Sequence, residues 1–162
     1  QAIVAWEEAG LGRPSTKQIR VETWLDGIDV PLIGFADYSM DGYCIDLKTT
    51  KALPSSPRHD HTLQAAGYAH ARHESRAALL YVTGKKRAIY ELDRTQIDEA
   101  LADLTRRARG LQNTLTAAWR SAGGDANKAR LKLAEMCPPN LDTFYWTDSE
   151  FLAARAQIEA WR

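Results

Sequence analysis

Two Asp-Gly pairs, Asp26-Gly27 and Asp41-Gly42, constrain this chain more than any other feature, because each stands between extended stretches. Such pairs fold strands back on one another, glycine adopting the backbone angles that a tight turn demands. Before the first pair, Ile19, Val21, Thr23 and Leu25 alternate with Arg20, Glu22 and Trp24, the period-two pattern of a strand with one buried face. Strands are therefore expected at Gln18 to Leu25, Val30 to Ser39 and Tyr43 to Thr49. The chain opens as a three-stranded meander.

The period then changes. Prolines and serines make a loop of Thr50 to Pro57, and His59 to Glu74 reads as a helix, with Leu63, Ala66, Gly67 and His70 along one side. The apolar run Ala77 to Thr83 suits a buried strand, and Gly84 to Arg87 turns it into a fifth, Ala88 to Leu92. Ile97, Leu101, Leu104, Ala108, Leu111, Leu115 and Trp119 recur at helical spacing, so one amphipathic helix is expected over Arg94 to Ala122. Trp119 and Trp161 read as packing residues. After Gly123-Gly124 a shorter helix, Asp125 to Met136, ends at Pro138-Pro139, and Thr147 with Glu150 forms a capping box for a last helix. Strands alternating with helices predict an α/β fold, a central mixed sheet flanked by α-helices.

At 162 residues the chain is the size of one domain, and 1–162 is read as a single one. Residue 1 is Gln, and Ala2 to Glu8 reads as helix with no clear cap, so an N-terminal segment is expected to precede this numbering. Lysines and arginines number 21, as do the acids; net charge does not announce a polyanionic partner, though basic residues can still gather on a rim. No apolar run is long enough to span a bilayer, so no membrane role is expected. Cys44 and Cys137 are too few and too far apart for a zinc or iron–sulfur cluster, and suit a reduced, cytoplasmic setting.

Residues two apart on a strand point to one face, so Asp46 and Lys48 project together while Ile45 and Leu47 enter the core. Asp37, one strand earlier, can be brought beside Asp46 by cross-strand pairing. Two carboxylates suit a hard divalent cation, which keeps its remaining positions for water and phosphate oxygens. A neighbouring lysine could orient that water and stabilise charge on phosphorus. An Asp-x-Lys by itself is more often a solvated surface pair.

The wider pattern Gly34-Phe35-Ala36-Asp37, then Ile45-Asp46-Leu47-Lys48-Thr49-Thr50, then Gln64-Ala65-Ala66-Gly67-Tyr68 resembles the PD-(D/E)XK nuclease superfamily. It is most similar to the RecB-like branch, which includes phage and prophage exonucleases. The resemblance implies a restriction-endonuclease-like core, with Asp37 and Asp46 as metal ligands, the Leu47 carbonyl as a further ligand and Lys48 as the catalytic lysine. Gln64 and Tyr68 match the Gln-x-x-x-Tyr helix of that branch, as buttresses of the lysine or contacts to substrate. Glu22 lies near where relatives place another acid and is a candidate to complete the metal site; it reads equally as an exposed strand glutamate. Cys137-Pro138-Pro139-Asn140 and Phe144-Tyr145-Trp146 look like the ends of phage members, less distinctively.

The activity so implied is magnesium-dependent hydrolysis of DNA phosphodiester bonds, with manganese able to substitute and no iron–sulfur cluster. It would be an exonuclease of phage or bacterial recombination and repair, in the cytoplasm of a bacterial cell or phage-infected host. The expected partners are DNA, a single-strand annealing protein and further copies of the chain. Two readings compete: an inactive nucleic-acid-binding module of the same fold, and an unrelated α/β binding protein in which these are surface charges. His59, His61, His70 and His73 read as surface histidines rather than ligands. Arg58, His59, Lys85-Lys86-Arg87, Arg106, Arg107 and Arg109 are either phosphate contacts or solvated faces.

Overall fold

A computed structural model describes residues 4, 6, 7, 10–12, 14–40, 42–137, 149, 152, 153, 155, 156 and 159. Five strands form one sheet in chain order: β1 (Thr16–Thr23), β2 (Leu32–Met40), β3 (Tyr43–Thr49), β4 (Arg76–Val82) and β5 (Arg87–Leu92). Only β3 and β4 run parallel. A parallel neighbour requires a crossover of a dozen or more residues, and α1 (His59–Ala71) supplies it. Helices α2 (Arg94–Ser121) and α3 (Ala126–Met136) follow. The protein is thus α/β, a mixed sheet flanked by helices, as the alternation of patterns implied. It divides into two compact units, Gln1–Arg109 and Gly110–Arg162. No helix among the described residues is long and apolar enough to cross a membrane.

Most elements fall within two residues of their expected bounds, and each exception has a physical cause. The first hairpin is wider than a tight Asp26-Gly27 turn. Gly27 takes φ +69, but Leu25 and Ile28 turn inward and are buried, which removes them from the strand. Pro31 has no N–H to offer a ladder, and β2 begins after it. The second turn has Gly42 at φ +69, as an Asp-Gly pair implies; Asp41 itself lies outside the described residues. So do the capping box of Thr147 and Glu150, the segment 138–146 and Trp161.

Helix α1 stops at Ala71 rather than Glu74. His73 adopts φ +57, its N–H bonds to the His70 carbonyl and that of Glu74 to the Ala69 carbonyl, at 3.1 and 2.9 Å. This is a Schellman ending with histidine in the left-handed position usually filled by glycine. A side chain there costs about 1 kcal/mol, so His73→Gly is expected to stabilise the protein by about that amount in a denaturant melt. The turn delivers Glu74 to the interior, where it accepts a 2.5 Å hydrogen bond from Ser39 Oγ of β2. Arg72 Nε stands 3.5 Å from the same carboxylate.

Two clusters of side chains form the core, one on each face of the sheet. Val21, Ala36, Cys44, Leu79 and Tyr81 pack with α1 and with Ile97 and Ala100 of α2. Tyr43, Ile45, Ala78, Leu80 and Val82 form the other, joined by Trp6, Leu11 and Tyr38. Helix α1 seats close to the sheet because alanine and glycine face it; a Cβ on Gly67 would come within 2.9 Å of Leu32 Cδ2. Helix α2 starts at a reciprocal cap in which Gln96 N–H donates to Asp93 Oδ1 and Asp93 N–H to Gln96 Oε1, at 2.9 and 3.0 Å. Its expected apolar stripe is only partly buried: Ile97 is in the core, while Leu111, Leu115 and Trp119 remain about half exposed. Trp119 lines an apolar groove with Ala126, Ala129 and Leu133 of α3.

Candidate metal centre

The site arises where β2 and β3 part. Their ladder covers only Tyr38↔Ile45, Ser39↔Cys44 and Met40↔Tyr43, although β3 continues to Thr49 paired with β4. At the fork, Asp37 Oδ2 accepts the Leu47 N–H at 2.8 Å, so a carboxylate replaces the missing ladder bond. A kink in β2 aims it there. Ala36 packs in one core cluster and Tyr38 in the other, although residues two apart on a regular strand share a face. Opposite the reversal, Gln18 has φ +49, and the ladder pairs Lys17↔Tyr38 and Ile19↔Ala36 enclose an unpaired Gln18 and Asp37. Such irregularities commonly redirect a functional side chain.

Asp46 and Lys48 point toward α1, since their β4 partners Leu79 and Tyr81 belong to the cluster on that face. Asp46 is 2% exposed. Lys48 Nζ stands 2.8 Å from Asp46 Oδ2, so this buried oxygen is held against one countercharge and has no other partner among the described residues. Burial pushes the Asp46 carboxyl above its ordinary range; Lys48 pulls it down and the charge of Asp37 pushes it up again. Lys48 Nζ also donates to Gln64 Oε1 at 2.6 Å, and Gln64 Nε2 donates to Tyr68 Oη at 2.7 Å. The four-residue spacing puts both on one face of α1. An ammonium held by an acid and an amide keeps one position, which is what a catalytic group requires.

The structure therefore gathers Asp37, Asp46, Leu47, Lys48, Gln64 and Tyr68 and leaves out Glu22. Glu22 pairs with Ile33 on the face opposite Val21, away from α1, and its carboxylate is 2.6 Å from Arg20 Nη1. Leu47 enters through its N–H. Among the described residues no three or more His, Cys, Asp or Glu side chains cluster as metal ligands. Two carboxylates beside a single ammonium fit a hard cation that keeps several waters. They differ from the closed nitrogen and sulfur set of a structural zinc site. Cys44 is no ligand candidate: burial, reinforced by Glu74 and Asp46, pushes its thiol up to about 12.

Three residues of this neighbourhood carried no role in the sequence reading. Gly34 faces Tyr68 so closely that a Cβ would lie 2.5 Å from its Cε1 and 3.0 Å from its Oη. Gly34→Ala must displace the Tyr68 ring, and with it Gln64 and Lys48. Misplacement by about 1 Å can cost 10²-fold in rate, and a cleavage assay that finds Gly34→Ala at wild-type activity would remove this linkage. Tyr81 is buried within the apolar run Ala77 to Thr83, where a hydroxyl must find partners; it accepts the Arg58 N–H at 3.1 Å and lies 2.7 Å from His61 Nδ1. His61 is thereby fixed at the start of α1. Its pKa is lowered by burial first and by the Lys48 charge second.

The basic residues divide. His59 Nε2 lies 2.7 Å from Asp103 Oδ2, on which Arg106 and Arg107 also converge. Arg109 Nη2 donates to the Asp26 carbonyl at 2.9 Å. Arg58 is paired with Asp60. His59 thus ties α1 to α2 and has no part in the carboxylate pair.

No family model matches the chain, and no curated protein matches it. Among solved structures, a crystal structure of SSO0001 is similar with a TM-score of 0.45 at 20% identity, over 65% of this chain and 54% of that one. The match therefore spans about half the length of that protein.

Proposed function

We propose that this chain is a metal-dependent deoxyribonuclease whose centre is Asp37, Asp46 and Lys48. One observation carries the reading: the buried Asp46 carboxylate, with Lys48 Nζ 2.8 Å from its Oδ2 and the charge of Asp37 acting on it, so that two acids share one lysine. Burying a carboxylate costs several kcal/mol unless it is paired and hydrogen-bonded. Two acids held beside a single ammonium carry an excess of negative charge, and the ligand suited to that excess is a hard divalent cation. The motifs that resemble the RecB-like nucleases fall on these same residues, which supports DNA as substrate and magnesium, or manganese, as the cation.

In this reading Asp37 and Asp46 hold the cation, with the Leu47 carbonyl available as a third oxygen. When bound, magnesium supplies charge neutralisation at the phosphate and acidifies a coordinated water. Lys48 orients the attacking water and stabilises the negative charge that builds on the phosphate oxygens. Gln64 fixes the direction of the ammonium, and Tyr68 fixes Gln64. Action at DNA ends, a place in phage or bacterial recombination and repair, an annealing partner and self-association are carried by the resemblance alone.

The test is hydrolysis of end-labelled linear duplex and of closed circular DNA, with magnesium, manganese or chelator. Cation-dependent loss of linear DNA only is the expected result; cutting of circles makes the enzyme an endonuclease. DNA binding without cleavage under every condition would overturn the enzyme reading and make the chain a binding module.

A further inference from the structure

The nuclease reading leaves one partly buried side chain at the centre without a task. His61 is three residues from Gln64 on α1, so the two share a face, and Gln64 is the residue that holds Lys48. From the sheet side, Tyr81 is the β4 partner of Lys48, and its hydroxyl is 2.7 Å from His61 Nδ1. The histidine is thus clamped to the strand next to the lysine. Its clamp is itself clamped. Tyr81 is 1% exposed, takes the Arg58 N–H, and packs edge-on against Tyr90, with centroids 5.7 Å apart. Tyr90 Oη in turn donates to the Pro54 carbonyl, so the loop leading into α1 is pinned at its middle and at its end.

This arrangement sorts the two ring nitrogens. Nδ1 is taken by Tyr81. Nε2 comes no closer than 3.9 Å to Asp60 Oδ2, beyond hydrogen-bonding distance, and has no hydrogen bond among the described residues. Tyr81 Oη already accepts the Arg58 N–H, and Nδ1 is the one acceptor within reach that the described residues give its own proton; in that tautomer the neutral imidazole carries its proton on Nε2 and presents a single donor. A ring held on one nitrogen by a buried hydroxyl and left free on the other is arranged as an oriented donor is. The task beside a lysine that addresses a phosphate is to bind another oxygen of that phosphate.

We propose that His61 is a substrate-binding residue that donates from Nε2 to a non-bridging oxygen of the scissile phosphodiester, with Tyr81 as its positioning residue. This rests on the nuclease reading. It differs from a metal role, since among the described residues no three His, Cys, Asp or Glu side chains gather as ligands, and from a general-base role, since in this tautomer the available nitrogen bears the proton.

The test compares wild type, His61→Ala and His61→Gln on three duplexes: one with an ordinary scissile phosphate, and two in which one or the other non-bridging oxygen is sulfur. A hydrogen bond to a charged oxygen corresponds to about 10- to 100-fold in rate, and His61→Ala is expected to lose that in kcat on the oxygen substrate. On one sulfur isomer, where the acceptor is already poor, the loss should shrink to a few-fold. His61→Gln, which keeps a donor, should recover part of the rate. Melting temperatures of the variants close to wild type separate this from misfolding. An equal loss on all three duplexes means a structural role and overturns the proposal, as does no loss on any. Wild type inert on all three would instead sink the nuclease reading, and this inference with it.

Discussion

Lys48→Ala is expected to lower DNA cleavage by about 10²- to 10⁴-fold, the range lost when a positioned charge or proton-handling group leaves an active site. The variant should still fold and still bind magnesium, because both carboxylates remain and an ammonium repels a cation. A second consequence follows from burial. Among the described residues Lys48 is the one countercharge at Asp46 Oδ2, and removing one member of a buried pair leaves the other charge uncompensated. The metal-free variant should therefore melt below wild type, and added magnesium should recover more of its stability than in wild type. Titration of the melting temperature with magnesium and a single-turnover cleavage assay check the two arms. Cleavage at the wild-type rate would end the assignment of Lys48, and failure of magnesium to stabilise either protein would end that of the metal centre.

Asp46→Asn should act in the opposite sense on stability and in the same sense on activity. Cleavage is expected to fall by at least about 10²-fold, and stabilisation by magnesium should largely vanish, since an amide oxygen binds the cation without its charge. The metal-free protein, however, should hold its melting temperature or gain. Burial raises the Asp46 pKa above its ordinary value of 3.8. For an acid shifted upward, the stability it contributes is present below the unfolded pKa and is lost as pH rises through the folded one. Wild type without metal therefore loses stability with rising pH on that limb, and Asp46→Asn does not. Melting curves of both proteins in chelator, from acid to neutral pH, read this difference. A variant that melts well below wild type at neutral pH would mean that the Asp46 charge stabilises the fold, and would remove the reason for expecting a cation beside it.

These outcomes share an origin in the fork between β2 and β3. Its stability comes from elsewhere: Glu74, buried by the Schellman ending of α1, accepts the hydroxyl of Ser39, the middle residue of the three β2 residues still paired with β3. The strands are pinned at Ser39↔Cys44 and free to part at Asp37 and Asp46. The proposed centre lies where the β2–β3 ladder stops, and there one carboxylate accepts a backbone N–H, which offsets part of the cost of stopping.

Much of this was legible in the residues. Period-two alternation and Asp-Gly turns determined the meander, and helical spacing of apolar residues determined α1 and α2, because secondary structure follows a local pattern of which side chains must be buried. The same parity put Asp46 and Lys48 on one face, and the four-residue step put Gln64 beside Tyr68. Tertiary structure decided what depends on distant pairings. Gln18 and Asp37 carry no local mark of the kink that reverses β2, so face parity alone could not exclude Glu22, which lies on the far side. Leu111, Leu115 and Trp119 continue the apolar stripe of α2, yet burial requires a neighbour to cover it, and spacing does not say where that neighbour ends. Tyr81 looked like one more apolar residue of a buried strand, and His61 like a surface histidine. Only the crossover that lays α1 across β3 and β4 brings the hydroxyl to the imidazole and both to Lys48.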